Sequence, residues 1–128
     1  MNKKKTVLIV TDGSGKTAEM AAKIAAALKG NKVTVKSVSD FKGNDLLPAE
    51  AFFLGSDKPE PESFAYLSDL LKHINLAGRF CGVFSSGTEK TAKYLAGLFK
   101  DSEALVNPNF FVAGAGKDIA RWAQSTIG

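Results

Sequence analysis

The segment from residue 6 to residue 28 constrains the fold more than any other part of the chain. It begins with the apolar run Val7–Val10, which is too short for a helix and rich in β-branched residues, and which therefore predicts a buried strand. Small polar residues occupy positions 11–17. A helical pattern follows, with one apolar face made of Met20, Ala21, Ile24, Ala25 and Leu28. The segment predicts a strand, a glycine-rich turn and a helix.

A turn of this kind can bind an anion. Glycine lets the backbone turn tightly and approach a ligand, and the N–H groups at the start of a helix attract negative charge. Ser14 and Thr17 add hydroxyl donors, and Lys16 adds a positive charge. In the alternative interpretation, this is an ordinary turn of a parallel sheet and a hydroxyl only caps the helix. The clustering of these residues favours anion binding.

Residues 13–17 are similar to the end of the nucleotide-binding P-loop, G-x-x-x-x-G-K-[ST]. However, counting back from Gly15 places Val10, a strand residue, where the first glycine is required. No apolar strand ending in a magnesium-binding aspartate follows. We therefore reject a P-loop.

The remaining strands are read from apolar patterns. Continuous apolar runs at 51–54 and 80–84 predict two further central strands, and the alternation over 32–38 predicts an edge strand. The last strand is expected at 104–106 and 110–112, with an interruption around Pro108.

The remaining helices are expected at three places. One begins at Pro61 or Glu62, and its apolar stripe comprises Phe64, Leu67, Leu70, Leu71 and Ile74. The second begins at Thr88 or Thr91 and reaches Phe99, and the third spans 118–127. Residues 39–48 are predicted to be a loop with a short turn at 46–47.

Strands that alternate with helices predict an α/β fold with a parallel sheet and right-handed crossovers. We expect one three-layer domain over residues 1–128, with five strands in the order 2-1-3-4-5, because the alternating second strand suits an edge. Ligands of such sheets lie beyond the carboxyl ends of the strands, where the strand order reverses. The polar loops at 11–17, 55–61 and 85–89 meet at that edge.

The first loop also resembles the flavodoxin phosphate loop, [ST]-x-T-G-x-T. Residues 12–17 read Asp-Gly-Ser-Gly-Lys-Thr and are followed by Ala18-Glu19. On this basis the whole chain resembles a short-chain flavodoxin, which implies a flavodoxin-like domain that binds FMN. The implied contacts are Asp12, Gly13, Ser14, Gly15, Lys16 and Thr17 at the phosphate, with Ser56, Asp57, Lys58, Ser85, Ser86 and Gly87 beside the flavin ring. The resemblance further implies a single-electron carrier, rather than a catalyst with its own substrate, that docks with redox partner proteins.

Three features depart from the flavodoxin pattern. Asp12 stands where a hydroxyl is expected, and its carboxylate would repel a phosphate unless it points away or Lys16 compensates. Residues 56–60 and 85–89 contain no aromatic residue to stack on a flavin. The net charge is +4, whereas flavodoxins are typically acidic. These departures keep open an alternative, a flavodoxin-fold binding protein without flavin.

Two enzyme-like alternatives are weaker. A phosphate-ester or nucleotide enzyme using Lys16 lacks a metal-binding aspartate and a nameable general base. A receiver domain needs a phosphoacceptor aspartate at the end of the third strand, where Gly55 and Ser56 stand instead.

Composition excludes several other classes. The chain is 45% hydrophobic and 23% charged and has no apolar run near the roughly 20 residues that cross a bilayer, so we expect no membrane partner and no signal peptide. A single cysteine, Cys81, fits a buried position and a reducing cytoplasm. Lys3, Lys4 and Lys5 are expected to form a frayed, solubilising tail, and no nucleic-acid partner is expected.

The remaining titratable side chains are assigned ordinary roles. His73 lies in a helix pattern with no ligand pattern around it. Asp57 and Glu60 are expected to cap the following helix or to contact Lys58.

Overall fold

The computed structural model describes residues 4–113 and 118–127. Within these residues the strands are β1 (Thr6–Thr11), β2 (Lys32–Ser37), β3 (Ala51–Ser56), β4 (Phe80–Ser85), β5 (Leu105–Val106) and β6 (Phe111–Val112). The helices are α1 (Gly15–Ala27), α2 (Gly43–Leu46), α3 (Ala65–His73), α4 (Glu89–Gly97) and α5 (Ile119–Thr126).

The sheet has the predicted order, β2-β1-β3-β4-β5, and its strands are parallel. The predicted last strand is divided: β5 pairs with the start of β4 and β6 pairs with its end. The interruption falls around Pro108, as the sequence predicts, because proline has no N–H for a strand ladder. The α/β fold class is therefore confirmed, and the fifth strand position is filled by two short strands.

The core lies on both faces of the sheet. Along β1, Leu8 and Val10 face one side and Val7 and Ile9 face the other, and all four are at most 2% exposed. The first side is covered by α3 and α4 and the second by α1 and α5. Strands buried on both faces must be continuously apolar, and for this reason the runs at 7–10, 51–54 and 80–84 predicted the centre of the sheet.

The second strand lies at an edge, also as predicted. Within the described chain β2 pairs with β1, and Val35 is 47% exposed. The alternating pattern of β2 reflects this position at the edge of the sheet.

The start of α3 differs from the prediction. The regular helix begins at Ala65, whereas Pro61–Phe64 form a turn closed by a 3.0 Å hydrogen bond from the Phe64 N–H to the Glu60 carbonyl. Phe64 is fully buried, so the turn directs this ring into the core before the helix starts. The one-turn helix α2 lies within the predicted loop at 39–48, and there Asp45 accepts a 2.9 Å hydrogen bond from the Lys42 N–H.

The last two helices begin within one residue of the predicted positions Thr88 and Asp118, and these two residues are the N-caps. Thr88 accepts a hydrogen bond from the Thr91 N–H, and Asp118 accepts from the N–H groups of Ala120 and Arg121. No helix within the described residues is long and apolar enough to span a membrane.

The prediction that Lys3, Lys4 and Lys5 form a frayed tail is wrong for Lys5. Lys5 is anchored, because its N–H donates to Asn31 Oδ1 at 3.0 Å and its ammonium group bonds the Ile127 carbonyl and lies over the Phe80 ring. Lys3 lies outside the described residues.

Candidate functional site

Three loops meet at the carboxyl edge of the sheet, at the reversal of strand order between β1 and β3. The register pairs Thr11 with Gly55 and Ser56 with Ser85, so β1, β3 and β4 end side by side. The loops that follow these strands therefore lie together, as the sequence predicts.

The start of α1 presents backbone donors. Gly13 has φ +86°, a left-handed conformation that favours glycine, and this turn leads directly into the helix. The first helical hydrogen bond runs from the Ala18 N–H to the Ser14 carbonyl, at 2.9 Å. The preceding N–H groups of Gly15, Lys16 and Thr17 have no acceptor among the described residues. These three donors can bind an anion.

The hydroxyl groups of this loop are engaged with each other. Ser14 Oγ lies 2.8 Å from Thr17 Oγ1, which lies 3.0 Å from Ser86 Oγ. Thr17 is fully buried. The expectation that both hydroxyls are available as donors is therefore not met in this conformation, and the donors that remain are on the backbone.

Asp12 joins the first loop to the second. Its Oδ1 accepts from the Ser14 N–H at 3.0 Å, and the Ser14 hydroxyl lies 3.0 Å from the same oxygen. Its Oδ2 accepts from the Asp57 N–H at 2.9 Å, and the Ser56 hydroxyl lies 3.3 Å from the same oxygen. The carboxylate is thus directed at donors of its own chain.

These hydrogen bonds keep Asp12 ionised. Burial opposes its ionisation, but donation by the Asp57 N–H, the Ser14 N–H and the Ser14 hydroxyl outweighs that effect and lowers the pKa of Asp12 below its ordinary 3.8.

The second and third loops are in direct contact. The Ser86 hydroxyl donates to Asp57 Oδ1 at 2.9 Å. A Cβ added at Gly87 would lie 2.0 Å from the Asp57 carbonyl oxygen, so the two backbones approach as closely as glycine allows. The side chains of Asp12, Ser14, Thr17, Ser86 and Asp57 form a continuous chain of polar contacts at hydrogen-bond distance, in which three hydroxyl groups share their protons between two carboxylates, and which we call the loop network. The loop network holds the three loops closed against each other.

The other predicted site residues lie beside the loop network. Ser56 is buried and also donates to the Lys58 carbonyl at 2.6 Å, and Ser85 Oγ accepts from the Gly87 N–H at 2.9 Å. The side chains of Lys16 and Lys58 are exposed and form no ion pair with any described carboxylate. Lys16 therefore does not neutralise Asp12.

Two residues near the site were not among the predicted contacts. Thr11 Oγ1, which is nearly buried, accepts from the Gly13 N–H at 3.2 Å and braces the turn. Burial, followed by the charge of Asp12, raises the pKa of Glu60. Their positions in the sequence could have identified both residues, because Thr11 is the last residue of β1 and Glu60 lies in the loop after β3.

The expected cap of α3 is wrong. Asp57 accepts from Ser86, and the N-cap position of α3 is Phe64, which makes no side-chain capping bond. Asp57 therefore belongs to the loop network.

The first aromatic residues that follow the second and third loops in the chain are Phe64 and Tyr94. Phe64 is buried in the core, and Tyr94 is half-buried against the core. Burial, and then the charge of Glu60, raise the pKa of Tyr94.

The two remaining candidates, His73 and Cys81, are not part of the three loops that form the candidate site. His73 is exposed and bonds the carbonyl of Asp69, and no cluster of potential metal ligands occurs within residues 4–113 and 118–127. Burial raises the pKa of the Cys81 thiol to about 12, so this cysteine is an inert core residue.

Comparison with known proteins defines the class of fold. The structure is similar to a short-chain flavodoxin associated with a PDU bacterial microcompartment, with a TM-score of 0.81, 19% identity, and coverage of 98% of this chain and 97% of that one. It is also similar to a flavodoxin from Streptococcus pneumonia TIGR4, with a TM-score of 0.75, 21% identity, and coverage of 93% and 92%. A third similar structure is the Fusobacterium nucleatum flavodoxin bound to flavin mononucleotide, with a TM-score of 0.65, 16% identity, and coverage of 90% and 82%.

No protein-family model matches the sequence, and no curated protein matches it either. The shared strand order and the coverage of nearly the whole chain show that this is a flavodoxin-like protein in its fold.

Proposed function

We propose that this protein binds FMN at the carboxyl edge of the sheet and carries single electrons between redox partner proteins. The phosphate would lie on residues 13–17, and the flavin ring would lie beside residues 56–58 and 85–87. Flavodoxin-fold neighbours, one of them bound to flavin mononucleotide, support this proposal.

The observation that carries the proposal is the row of backbone donors at the start of α1 that have no acceptor among the described residues. The N–H groups of Gly15, Lys16 and Thr17 follow the left-handed turn at Gly13, at the reversal of strand order. A phosphate group fits such a helix start, because the N–H groups point along the axis and the helix dipole favours negative charge.

The flavin ring would fit beside residues 56–58 and 85–87 only after the second and third loops separate. The Ser86–Asp57 hydrogen bond and the Gly87–Asp57 contact close that space. A hydrogen bond from a hydroxyl to a carboxylate contributes roughly 1.5–3 kcal/mol, so a ligand that replaces it with its own contacts can open the loops.

A bound flavin would supply the electron chemistry by accepting and releasing electrons, and the protein would set its potential through ring contacts and nearby charge. The residues of this chain would hold the phosphate, orient the ring and limit the access of water. Asp12, Asp57 and Glu60 place negative charge near the ring position.

A second candidate is a flavodoxin-fold binding protein without flavin. Two observations favour it: the loop network closes the ring position, and residues 56–60 and 85–89 contain no aromatic side chain. This candidate predicts no FMN binding by the wild-type protein.

The phosphate loop is tested with Gly13→Ala. An alanine in the left-handed conformation is strained by about 1–2 kcal/mol, so the free loop of the variant should relax out of this turn. Restoring the turn around the phosphate would then weaken FMN binding roughly five- to thirtyfold. The measurement is a titration that follows the quenching of FMN fluorescence.

Gly30→Ala is the matched control for that titration, since an added Cβ at Gly30 meets nothing within 4 Å. Equal affinities of the two variants would show that the turn at Gly13 does not hold the ligand.

A further inference from the structure

We infer that Asp12 sets the charge preference of this site: its carboxylate occupies donors beside the start of α1 and disfavours ligands that carry a phosphate group. The inference rests on the proposed function and adds to it the residue that limits phosphate affinity.

The first step is the position of the carboxylate. Oδ1 takes the Ser14 N–H at 3.0 Å and lies 3.0 Å from the Ser14 hydroxyl. Ser14 directly precedes Gly15, where the free N–H groups of α1 begin. A negative charge of the protein itself is therefore seated one residue from the donors that a phosphate would use.

The second step is that this charge persists and that no lysine or arginine within residues 4–113 and 118–127 forms an ion pair with it. Oδ2 accepts from the Asp57 N–H and Oδ1 from the Ser14 N–H, so each oxygen of the carboxylate has a backbone donor. Lys16, the nearest lysine in sequence, forms no ion pair with a described carboxylate. Glu60 is close enough for the charge of Asp12 to raise its pKa, although the charge of Lys58 opposes this effect, so a second carboxylate lies in the surroundings of Asp12.

The third step is the consequence for ligands. A phosphate bound at the N–H groups of residues 15–17 would lie beside this carboxylate in a partly buried region, where like charges repel more strongly than in water. A neutral side chain at position 12 removes the repulsion, and an amide or hydroxyl oxygen at that position holds the Ser14 donors more weakly than a carboxylate does. A ligand without phosphate gains nothing from the change.

The test compares FMN with riboflavin, which has the same ring and no phosphate. We expect wild-type protein to bind the two within about threefold, whereas Asp12→Asn should favour FMN on the order of tenfold, a difference of about 1.4 kcal/mol. Riboflavin affinity should stay unchanged. Asp12→Ser should behave like Asp12→Asn and serves if that variant fails to fold.

Asp69→Asn is the charge-matched control, because Asp69 is exposed on α3 and its carboxylate contacts only His73 among the described residues. If FMN and riboflavin affinities rise together in the Asp12 variants, Asp12 only holds the loops closed and the inference is wrong. An unchanged preference for FMN over riboflavin also overturns it.

Inorganic phosphate separates this inference from the proposed function. At fixed ionic strength, phosphate should raise the melting temperature of Asp12→Asn more than that of wild type, with no flavin present. If no protein binds flavin but this difference remains, the electron-carrier proposal fails and the role of Asp12 stands. If phosphate stabilises neither protein and flavin preference does not change, the inference fails.

Discussion

At the scale of single residues, Asp12 shows how one carboxylate can connect two loops of the candidate site. The sequence raised the question of whether its carboxylate faces a phosphate or points away. The structure directs it to the Ser14 N–H and to the Asp57 N–H, which belong to two different loops. The lowered pKa of Asp12 follows from these donors, despite the opposing effect of burial.

The pH dependence of stability is predicted from this shift. Because the folded pKa of Asp12 lies below the unfolded value, the ionised form stabilises the fold at neutral pH. This contribution is present above the unfolded pKa and is lost as the pH falls through the folded pKa. Urea unfolding between neutral pH and about pH 3 should therefore show a smaller acid-induced loss of stability in Asp12→Asn than in wild type.

The ionisation of Glu60 has the opposite effect on the stability of the fold. Burial and the charge of Asp12 raise its pKa, so protonation of Glu60 relieves repulsion as the pH falls through that raised value. Asp69→Asn is the control for the acid series. Equal acid sensitivity in Asp12→Asn and wild type would contradict the hydrogen-bonded carboxylate at position 12.

At the scale of elements, the sequence was most informative where the burial of apolar side chains alone determines the pattern. The apolar runs predicted the central strands because a parallel strand buried on both faces has no polar positions. The sequence was least informative for the start of α3, since the prolines at 59 and 61 permit both a helical first turn and the observed turn at 61–64.

The site was predictable only in part, for a related reason. The meeting of three loops follows from strand order, which apolar patterns reveal. The loop network depends on side-chain direction at positions such as Thr17 and Ser86, which are far apart in the chain and 3.0 Å apart in space. Patterns within one segment carry no information about such a contact.

The packing of β3 against β4 gives a prediction for a strand glycine. A Cβ at Gly55 would lie 2.2 Å from the Phe84 ring, which packs in the core with Trp122. Gly55→Ala should therefore reduce the free energy of unfolding by about 1–3 kcal/mol, as overpacked core substitutions do. Urea denaturation measures this loss.

Gly97→Ala provides the comparison for Gly55→Ala. An added Cβ at Gly97, the last residue of α4, meets nothing within 4 Å. That variant should be unchanged or more stable by up to about 1 kcal/mol. Similar effects of the two substitutions would show that the contact between Gly55 and Phe84 is not tight.

At the scale of the whole molecule, the charge is unevenly distributed. The net charge is +4, yet residues 11–17, 56–61 and 85–89 contain four acids and two lysines. The excess of positive charge therefore lies outside the candidate site. We expect a redox partner to meet a mildly acidic edge around the flavin, although the chain as a whole is basic.

The proposed function depends on whether the closed carboxyl edge opens for a flavin. The direct measurement is an absorbance scan between about 300 and 550 nm of the purified protein, before and after excess FMN is added and the free fraction is removed. We predict retained flavin bands with quenched flavin fluorescence, and we predict that saturation requires excess FMN because the loops must separate. Absence of retained flavin and of quenching at high FMN would contradict the electron-carrier proposal and would leave a flavodoxin fold that binds a different partner.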